Sequence, residues 1–218
     1  MKKILILSLA LMSVSVFAQS QYTPDAAEAK NILDKTAQAL QKNTGIKAVF
    51  SLTVDNSQTN EKQAIDGTLW LKDNKFKLVV SDMETYYNGK TQWVYMPDDE
   101  EVTISTPDAE ELEEINPTAI ISSYKKGYKL KKDNDKTIDG KAAFVVCIYP
   151  DDRTKPYHRI EIIVEKISYN ILSINTYGKN GTNTLIKIKK YEKDLNLADT
   201  LFNFDTKKYP KIEIIDLR

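Results

Sequence analysis

The chain has 218 residues, and its 31 Lys and Arg residues balance its 31 Asp and Glu residues, so the formal net charge is zero. This balance disfavours a nucleic-acid partner, which would require a basic surface. One His and one Cys are too few for a zinc site, and the acidic clusters lack the spacing of a calcium loop. We therefore predict no nucleic-acid partner, no metal and no cofactor.

The N-terminus has the pattern of a secretory signal peptide. Lys2 and Lys3 precede an apolar stretch from Ile4 to Phe17, and a small-residue cleavage pattern ends at Ala18. The apolar stretch is too short for a membrane-spanning helix. We expect cleavage after Ala18, localisation in the periplasm, and a single β-rich domain formed by residues 19–218.

A helix is predicted next. Thr23 provides an N-cap, Pro24 a proline at the first helical position and Asp25 an early acid, and strong helix formers follow. The apolar stripe of this helix is formed by Ala29, Leu33, Thr36 and Leu40. The pattern indicates an amphipathic helix that ends near residues 43–45.

The hydrophobic period then changes to two. Residues 46–54 form the first predicted strand, and several antiparallel strands follow between Gly67 and Ile104, with tight turns at 73–74 and 88–89. Both faces of these later strands are rich in large apolar groups. Leu69 and Leu71 alternate with Trp70, and a second strand has Val94 and Met96 opposite Trp93 and Tyr95. Such a sheet must cover an apolar layer on each side, so that one face can pack on helices and the other can meet a ligand.

A short helix that starts at Asn116-Pro117 is predicted to interrupt the strands and fold over the sheet. Strands resume at residues 128–132, 142–149, 157–165, 171–177, 184–191 and 212–217. The total is about ten or eleven antiparallel strands, and a sheet of that size tends to curl. The predicted fold class is mostly β (α+β): a curled antiparallel sheet that forms an incomplete β-barrel, with helices covering its concave face.

No catalytic site can be assembled from the sequence. Gly89-Lys90-Thr91 lacks the earlier glycine of a P-loop, because position 84 is Glu84, and it fits a hairpin turn instead. His158, the single histidine, is predicted at the start of a strand or on the surface. Cys147 lies in an apolar run and is predicted to be a small buried core residue. We predict that the protein is not an enzyme.

Several segments resemble one family over nearly the whole mature chain. They are the N-terminal helix, KAVFSLTV, GTLWLK, NGKTQWVYMPDDEEV, NPTAIISSY and DTLFNFDTKKYPKIEIIDL. Together they resemble the periplasmic outer-membrane lipoprotein carriers of the LolA type. The resemblance implies an incomplete β-barrel whose apolar cavity shields lipoprotein acyl chains. Carriers of this type receive their cargo from an inner-membrane ATP-driven extractor and pass it to an outer-membrane acceptor. We expect this chain to be a monomer.

Burial of acyl chains is physically plausible, because each buried methylene contributes about 0.8 kcal/mol. The carrier must also release its cargo, which a movable lid that fills the empty cavity would allow. The predicted lid residues are Ile120, Ile121 and Tyr124 on the central helix, with Leu33 and Leu40 on the first helix beside them. The predicted cavity wall consists of Phe50, Leu52, Leu69, Leu71, Phe76, Trp93 and Tyr95.

The chain departs from the family pattern at one position. The resemblance places an arginine just after the LWVK-like strand, where it bonds to the lid helix, whereas here LWLK is followed by Asp73-Asn74-Lys75. The bond that would hold the lid helix, which we call the latch, is therefore absent or is made by another group. Lys72 and Lys75 are the candidates for that group.

Two charge runs and one alternative function remain. Acidic residues cluster at 98–101 and 110–114, and basic ones at Lys125, Lys126, Lys129, Lys131 and Lys132. Such runs are typical of solvated faces, although a basic edge can also dock an acidic partner or anionic lipid headgroups.

The alternative to a carrier is a sensory or structural lipid-binding module with the same half-barrel. A second domain or an anchor, which a dedicated sensor normally carries, is not recognised in this sequence.

Overall fold

The computed structural model describes residues 24–108, 111–112, 124–125 and 127–218. Helix α1 spans Pro24–Gln41, as the sequence pattern predicts. Ala29, Leu33 and Thr36 are fully buried on one stripe of the helix, and Leu40 lies on the same side, partly buried. The signal-peptide residues and most of the predicted central helix lie outside the described residues.

Twelve strands form one sheet within the described part of the chain, one or two more than predicted. Their bounds are β1 Ile46–Asn56, β2 Glu61–Lys72, β3 Lys75–Val80, β4 Met83–Tyr87, β5 Gln92–Met96, β6 Glu101–Ser105, β7 Tyr128–Ile138, β8 Lys141–Pro150, β9 Tyr157–Glu165, β10 Ile171–Gly178, β11 Thr182–Glu192 and β12 Glu213–Asp216. The order across the sheet is β12-β6-β5-β4-β3-β2-β1-β11-β10-β9-β8-β7. All pairs are antiparallel except β12 with β6, which is parallel.

The central pairing of the sheet brings distant parts of the chain together. Strand β1 pairs with β2 on one side and with β11 on the other. Residues that pair across neighbouring strands share a face, so the register assigns every side chain to the concave or the outer side. Helix α1 packs on the concave face of β7 and β8, where Leu33 belongs to the same apolar cluster as Val146 and Ile148. The predicted class, a large curled sheet that is mostly β, is confirmed.

Part of the outer face is covered by the end of the chain. We call residues 194–212 the C-terminal strap; it contains short 3₁₀ helices at Asp199–Phe202 and Thr206–Lys208. Phe204 of the strap packs on Tyr86 and Tyr95, and Tyr209 also contacts Tyr95. The strap therefore gives the outer face of β4–β6 an apolar cover before the chain ends in β12.

Candidate functional site

An apolar cavity of about 160 Å³ lies on the concave side of the sheet, under the C-terminal end of α1. One wall comes from β1, β2 and β3, the other from β10 and β11, and Leu40 of α1 completes it. The lining residues are Leu40, Ala48, Phe50, Leu52, Leu69, Leu71, Leu78, Val80, Ile171, Ile174, Ile186, Ile188 and Tyr191. Within the part of the chain that the structure describes, no charged side chain belongs to this lining.

Strand register explains the shape of the β1–β2 wall. Ala48 pairs with Leu69, and Phe50 pairs with Gly67, so these side chains share the concave face. The ring of Phe50 lies over Gly67, where a side-chain Cβ, if one were present, would come within 2.3 Å of the ring. Glycine at this position therefore makes the space in which the largest side chain of the wall is packed.

Five predicted site residues line the cavity: Leu40, Phe50, Leu52, Leu69 and Leu71. Phe76 is fully buried in the same apolar cluster as this wall but does not line the cavity. Leu33 is buried between α1 and the far strands, and Tyr124 packs there too, with its hydroxyl donating a hydrogen bond to Asp34 of α1. Ile120 and Ile121 lie outside the described residues.

Trp93 and Tyr95 are on the opposite side of the sheet, and their predicted place in the concave wall is wrong. Trp93 pairs with Tyr86 and Tyr95 with Glu84, and both pack against the cluster that contains Phe204 of the strap. The sequence pattern showed two apolar faces but gave no basis for deciding which one the strap would cover.

The second wall of the cavity was missed by sequence reasoning. Ile186 and Ile188 show a period of two that could have assigned them to one face, but their pairing with β1 is a long-range contact that the pattern does not reveal. The other residues that were not predicted are Ala48, Leu78, Val80, Ile171, Ile174 and Tyr191.

Tyr191 faces the cavity because β11 is irregular. The register of β11 against β1 shifts between Val49 and Phe50, so that Lys189 forms a bulge. Regular alternation from Ile188 would place Lys190 inward and Tyr191 outward, and the extra residue reverses this order. Burial raises the pKa of the Tyr191 phenol, so the hydroxyl is neutral at physiological pH.

Lys72 and Lys75 bind the C-terminal strap. The Lys72 ammonium donates to the carbonyl of Leu197 at 2.7 Å and to Asp199 at 2.8 Å, and the Lys75 ammonium lies 2.9 Å from Asp199. In this structure the two lysines therefore fix the strap to the β2–β3 hairpin. Their suggested role as a latch to a lid helix is not supported by these contacts.

The side chains that could take part in catalysis, Cys147 and His158, lie where the sequence predicts them. Cys147 is buried on β8, and burial raises the pKa of its thiol, so it is a poor nucleophile. His158 is exposed near the start of β9, as predicted. Among the described residues, no group of three or more His, Cys, Asp or Glu side chains could hold a metal ion.

The predicted basic edge is only partly free. Lys129 and Lys131 are exposed on β7, which lies at one edge of the sheet, whereas Lys132 has a side chain only 12% exposed and pairs with Asp135 at 2.5 Å. No helix in the described part of the chain has the length and apolar character needed to cross a membrane.

An unclosed, curled antiparallel sheet around an apolar cavity defines a class of half-barrel proteins suited to apolar ligands. The sequence profile of the outer membrane lipoprotein carrier protein LolA matches residues 14–148, which is more than half of the chain. The chain belongs to this family, as the resemblance predicted. Comparison with curated proteins gives no significant sequence match.

Solved structures share the fold at low sequence identity. An uncharacterized conserved protein from Thermus thermophilus is 12% identical, with a TM-score of 0.60 and coverage of 87% of this chain and 99% of that one. A DUF1329 family protein from Desulfovibrio piger is 13% identical, with a TM-score of 0.51 and coverage of 83% and 98%. In the MucA/MucB complex of Pseudomonas aeruginosa, the matching chain is 15% identical, with a TM-score of 0.52 and coverage of 82% and 62%. These likenesses establish the fold alone.

Proposed function

We propose that the protein is a periplasmic carrier that shields the acyl chains of lipoproteins and delivers them to the outer membrane. The observation that carries this proposal is the cavity: among the described residues that line it, Tyr191 is the one whose side chain carries a polar group. Transfer of each methylene from water into such a site is favourable by about 0.8 kcal/mol. Family membership supports the same function.

The volume of the cavity indicates that it must expand when an acyl chain binds. An apolar cavity of about 150 Å³ holds a molecule the size of benzene, and the cavity here has about 160 Å³. A long acyl chain is larger, so lining side chains must move apart when it enters. We propose that the ligand contacts five of the residues that line the cavity: Leu40, Phe50, Leu52, Leu69 and Leu71. The part of Ile120 and Ile121 in a lid remains a prediction.

The proposed function also includes a route for the protein and for its cargo. We propose that residues 1–18 direct export, that residues 19–218 form the mature single domain, and that the cargo passes from an inner-membrane ATP-driven extractor to an outer-membrane acceptor. Hydrophobic cargo cannot cross water between two membranes unaided, which is the need that a carrier with a buried cavity would meet.

The test compares two substitutions at neighbouring positions of β11. Ile186→Trp adds an indole inside the cavity, whereas Leu185→Trp adds the same group on the outer face of the same strand. Native mass spectrometry of protein purified from its own periplasm should show acylated protein bound to the parent chain and to Leu185→Trp, with strongly reduced loading of Ile186→Trp. Equal loading of all three proteins would exclude this cavity as the binding site.

Delivery is tested separately. Loaded protein is mixed with outer-membrane vesicles, and cargo in the vesicle fraction is measured. Transfer supports a carrier, whereas stable binding without transfer would indicate the sensory or structural module instead.

A further inference from the structure

The hydroxyl of Tyr191 is the one polar side-chain group among the described residues that line the cavity. It has no hydrogen-bond partner among the residues that the structure describes. The phenol stays protonated because burial raises its pKa, so it presents an O–H donor. A polar group that enters an apolar site without a partner is unfavourable, and phenylalanine would fill the same space without this penalty.

The backbone of β11 turns this donor inward. The bulge at Lys189 puts Tyr191 on the same face as Ile188, although the two positions are three residues apart. Bulges commonly reorient a side chain beside a binding site. The partner of Tyr191 on β1 is Ala48, whose small side chain leaves space next to the phenol ring.

Tyr191 also lies at one end of the row of β11 residues that line the cavity. It pairs with Ala48, whereas Ile186 pairs with Leu52, four residues further along β1. At the rise of an antiparallel strand, that separation is about 14 Å. A linear ligand aligned with β1 would therefore have one end at the hydroxyl and the rest of its length against aliphatic side chains.

We propose that Tyr191 recognises an acyl carbonyl, so that the cargo is an acylated molecule whose carbonyl oxygen accepts the hydrogen bond of the phenol while its hydrocarbon chain runs toward Leu52 and Ile186. A bare hydrocarbon chain has no acceptor for this donor, and an alkyl ether lacks the carbonyl oxygen and offers only its chain oxygen, at a different position. This inference rests on the proposed binding of acyl chains, and it adds the chemical group that the cavity selects and the direction in which the chain lies.

The test uses two probes that differ only in the carbonyl. Palmitoyl-lysophosphatidylcholine contains an acyl ester, and its O-hexadecyl analogue has an ether at the same position. Both are titrated below their micellar concentrations, with displacement of an apolar fluorescent dye as the readout. We expect the full chain to bind the ester about 3- to 10-fold more tightly than the ether, which is the range for one net hydrogen bond.

Tyr191→Phe should bring this ratio to about one while the ether affinity stays unchanged. Tyr87→Phe is the matched control, because Tyr87 belongs to the apolar cluster around the cavity but does not line it; this variant should keep the preference for the ester. Isotope-edited infrared spectra give a second readout: the ¹³C-labelled ester carbonyl should absorb at lower frequency in the parent protein than in Tyr191→Phe.

The outcomes separate the two proposals. A ratio near one in the parent protein, or an unchanged ratio in Tyr191→Phe, would overturn the role of Tyr191 while binding of both probes still supports the cavity. Binding of neither probe would overturn both proposals.

Discussion

Phe204 of the C-terminal strap packs against Tyr95 of β5 with ring centroids 5.0 Å apart. More than a hundred residues separate the two positions in the sequence, and the contact fixes the strap on the outer face of the sheet. The rings of Tyr86 and Tyr209 extend the cluster, at 5.6 Å and 5.1 Å from the ring of Phe204. The aromatic groups on that face therefore stabilise the fold, and the apolar cavity lies on the opposite, concave face.

Removal of the Phe204 ring should destabilise the protein without abolishing lipid binding. Phe204 is only 7% exposed, and truncation of a buried Phe to Ala typically costs about 3–5 kcal/mol. We expect Phe204→Ala to lower the free energy of unfolding by about 3 kcal/mol in urea denaturation and to speed amide exchange in β12. Tyr209→Phe, which keeps its ring, is the control and should change stability far less. Loss of lipid binding at unchanged stability would contradict this assignment.

The attachment of the strap to the β2–β3 hairpin should depend on pH. Two side-chain hydrogen bonds lower the pKa of Asp199 from 3.8 to about 2, and the bond from Lys72 contributes more than the bond from Lys75. A carboxyl whose pKa is lower in the folded state stabilises that state above pH 3.8, and this contribution is lost as the pH falls toward 2. Asp199→Asn should therefore be less stable than the parent chain at pH 6, and the difference should shrink between pH 4 and pH 2.

Urea denaturation across that range measures this difference. Asp99→Asn, at an exposed carboxyl in the turn between β5 and β6, is the control for a general effect of charge. A stability difference for Asp199→Asn that stays constant down to pH 2 would rule out these ion pairs as its origin.

The packing of Phe50 over Gly67 gives a prediction that links stability to binding. A Cβ at Gly67 would lie 2.3 Å from the Phe50 ring, so Gly67→Ala must push the ring toward the cavity. Overpacking of this kind costs about 1–3 kcal/mol. We expect Gly67→Ala to lose stability and to bind the acyl probe more weakly.

The double variant Gly67→Ala/Phe50→Leu tests the cause. A smaller side chain at position 50 relieves the clash, so the double variant should recover binding relative to Gly67→Ala, with a favourable coupling energy between the two sites. Additive losses in the double variant would show that the ring contact is not responsible.

The thiol of Cys147 should be unreactive in the folded protein. It is fully buried on β8, and burial raises its pKa, so both access and thiolate formation are suppressed. We expect negligible labelling by a thiol reagent in native buffer and rapid labelling in urea, with the rate following the fraction unfolded. Fast labelling under native conditions would indicate local opening of β8.

The sequence predicted those features that depend on local pattern. The bounds of β9 are those predicted, and the buried stripe of α1 follows from its helical spacing. Strand β2 begins at Glu61, well before the predicted Gly67, because its first half is exposed and polar and has no hydrophobic alternation to detect. Strand β7 likewise extends through a polar stretch to Ile138.

The lining of the cavity could not be fully predicted, because it depends on long-range contacts that the local sequence pattern does not reveal. Trp93 and Leu69 are both large apolar residues, and which of them faces inward is decided by where the distant strap lies. Five of the thirteen lining residues come from β10 and β11, and long-range pairing sets the position of β11 beside β1. Tyr191 was missed because a single bulge reverses the alternation that sequence reasoning assumes.

The position of β1 between β2 and β11 also constrains how the chain reaches its folded state. Ala48 has Leu69 on one side and Tyr191 on the other, so the second wall of the cavity cannot form until almost the whole polypeptide has been synthesised. Distant pairing of this kind must close long loops before it yields favourable contacts, and such topologies fold in milliseconds to seconds.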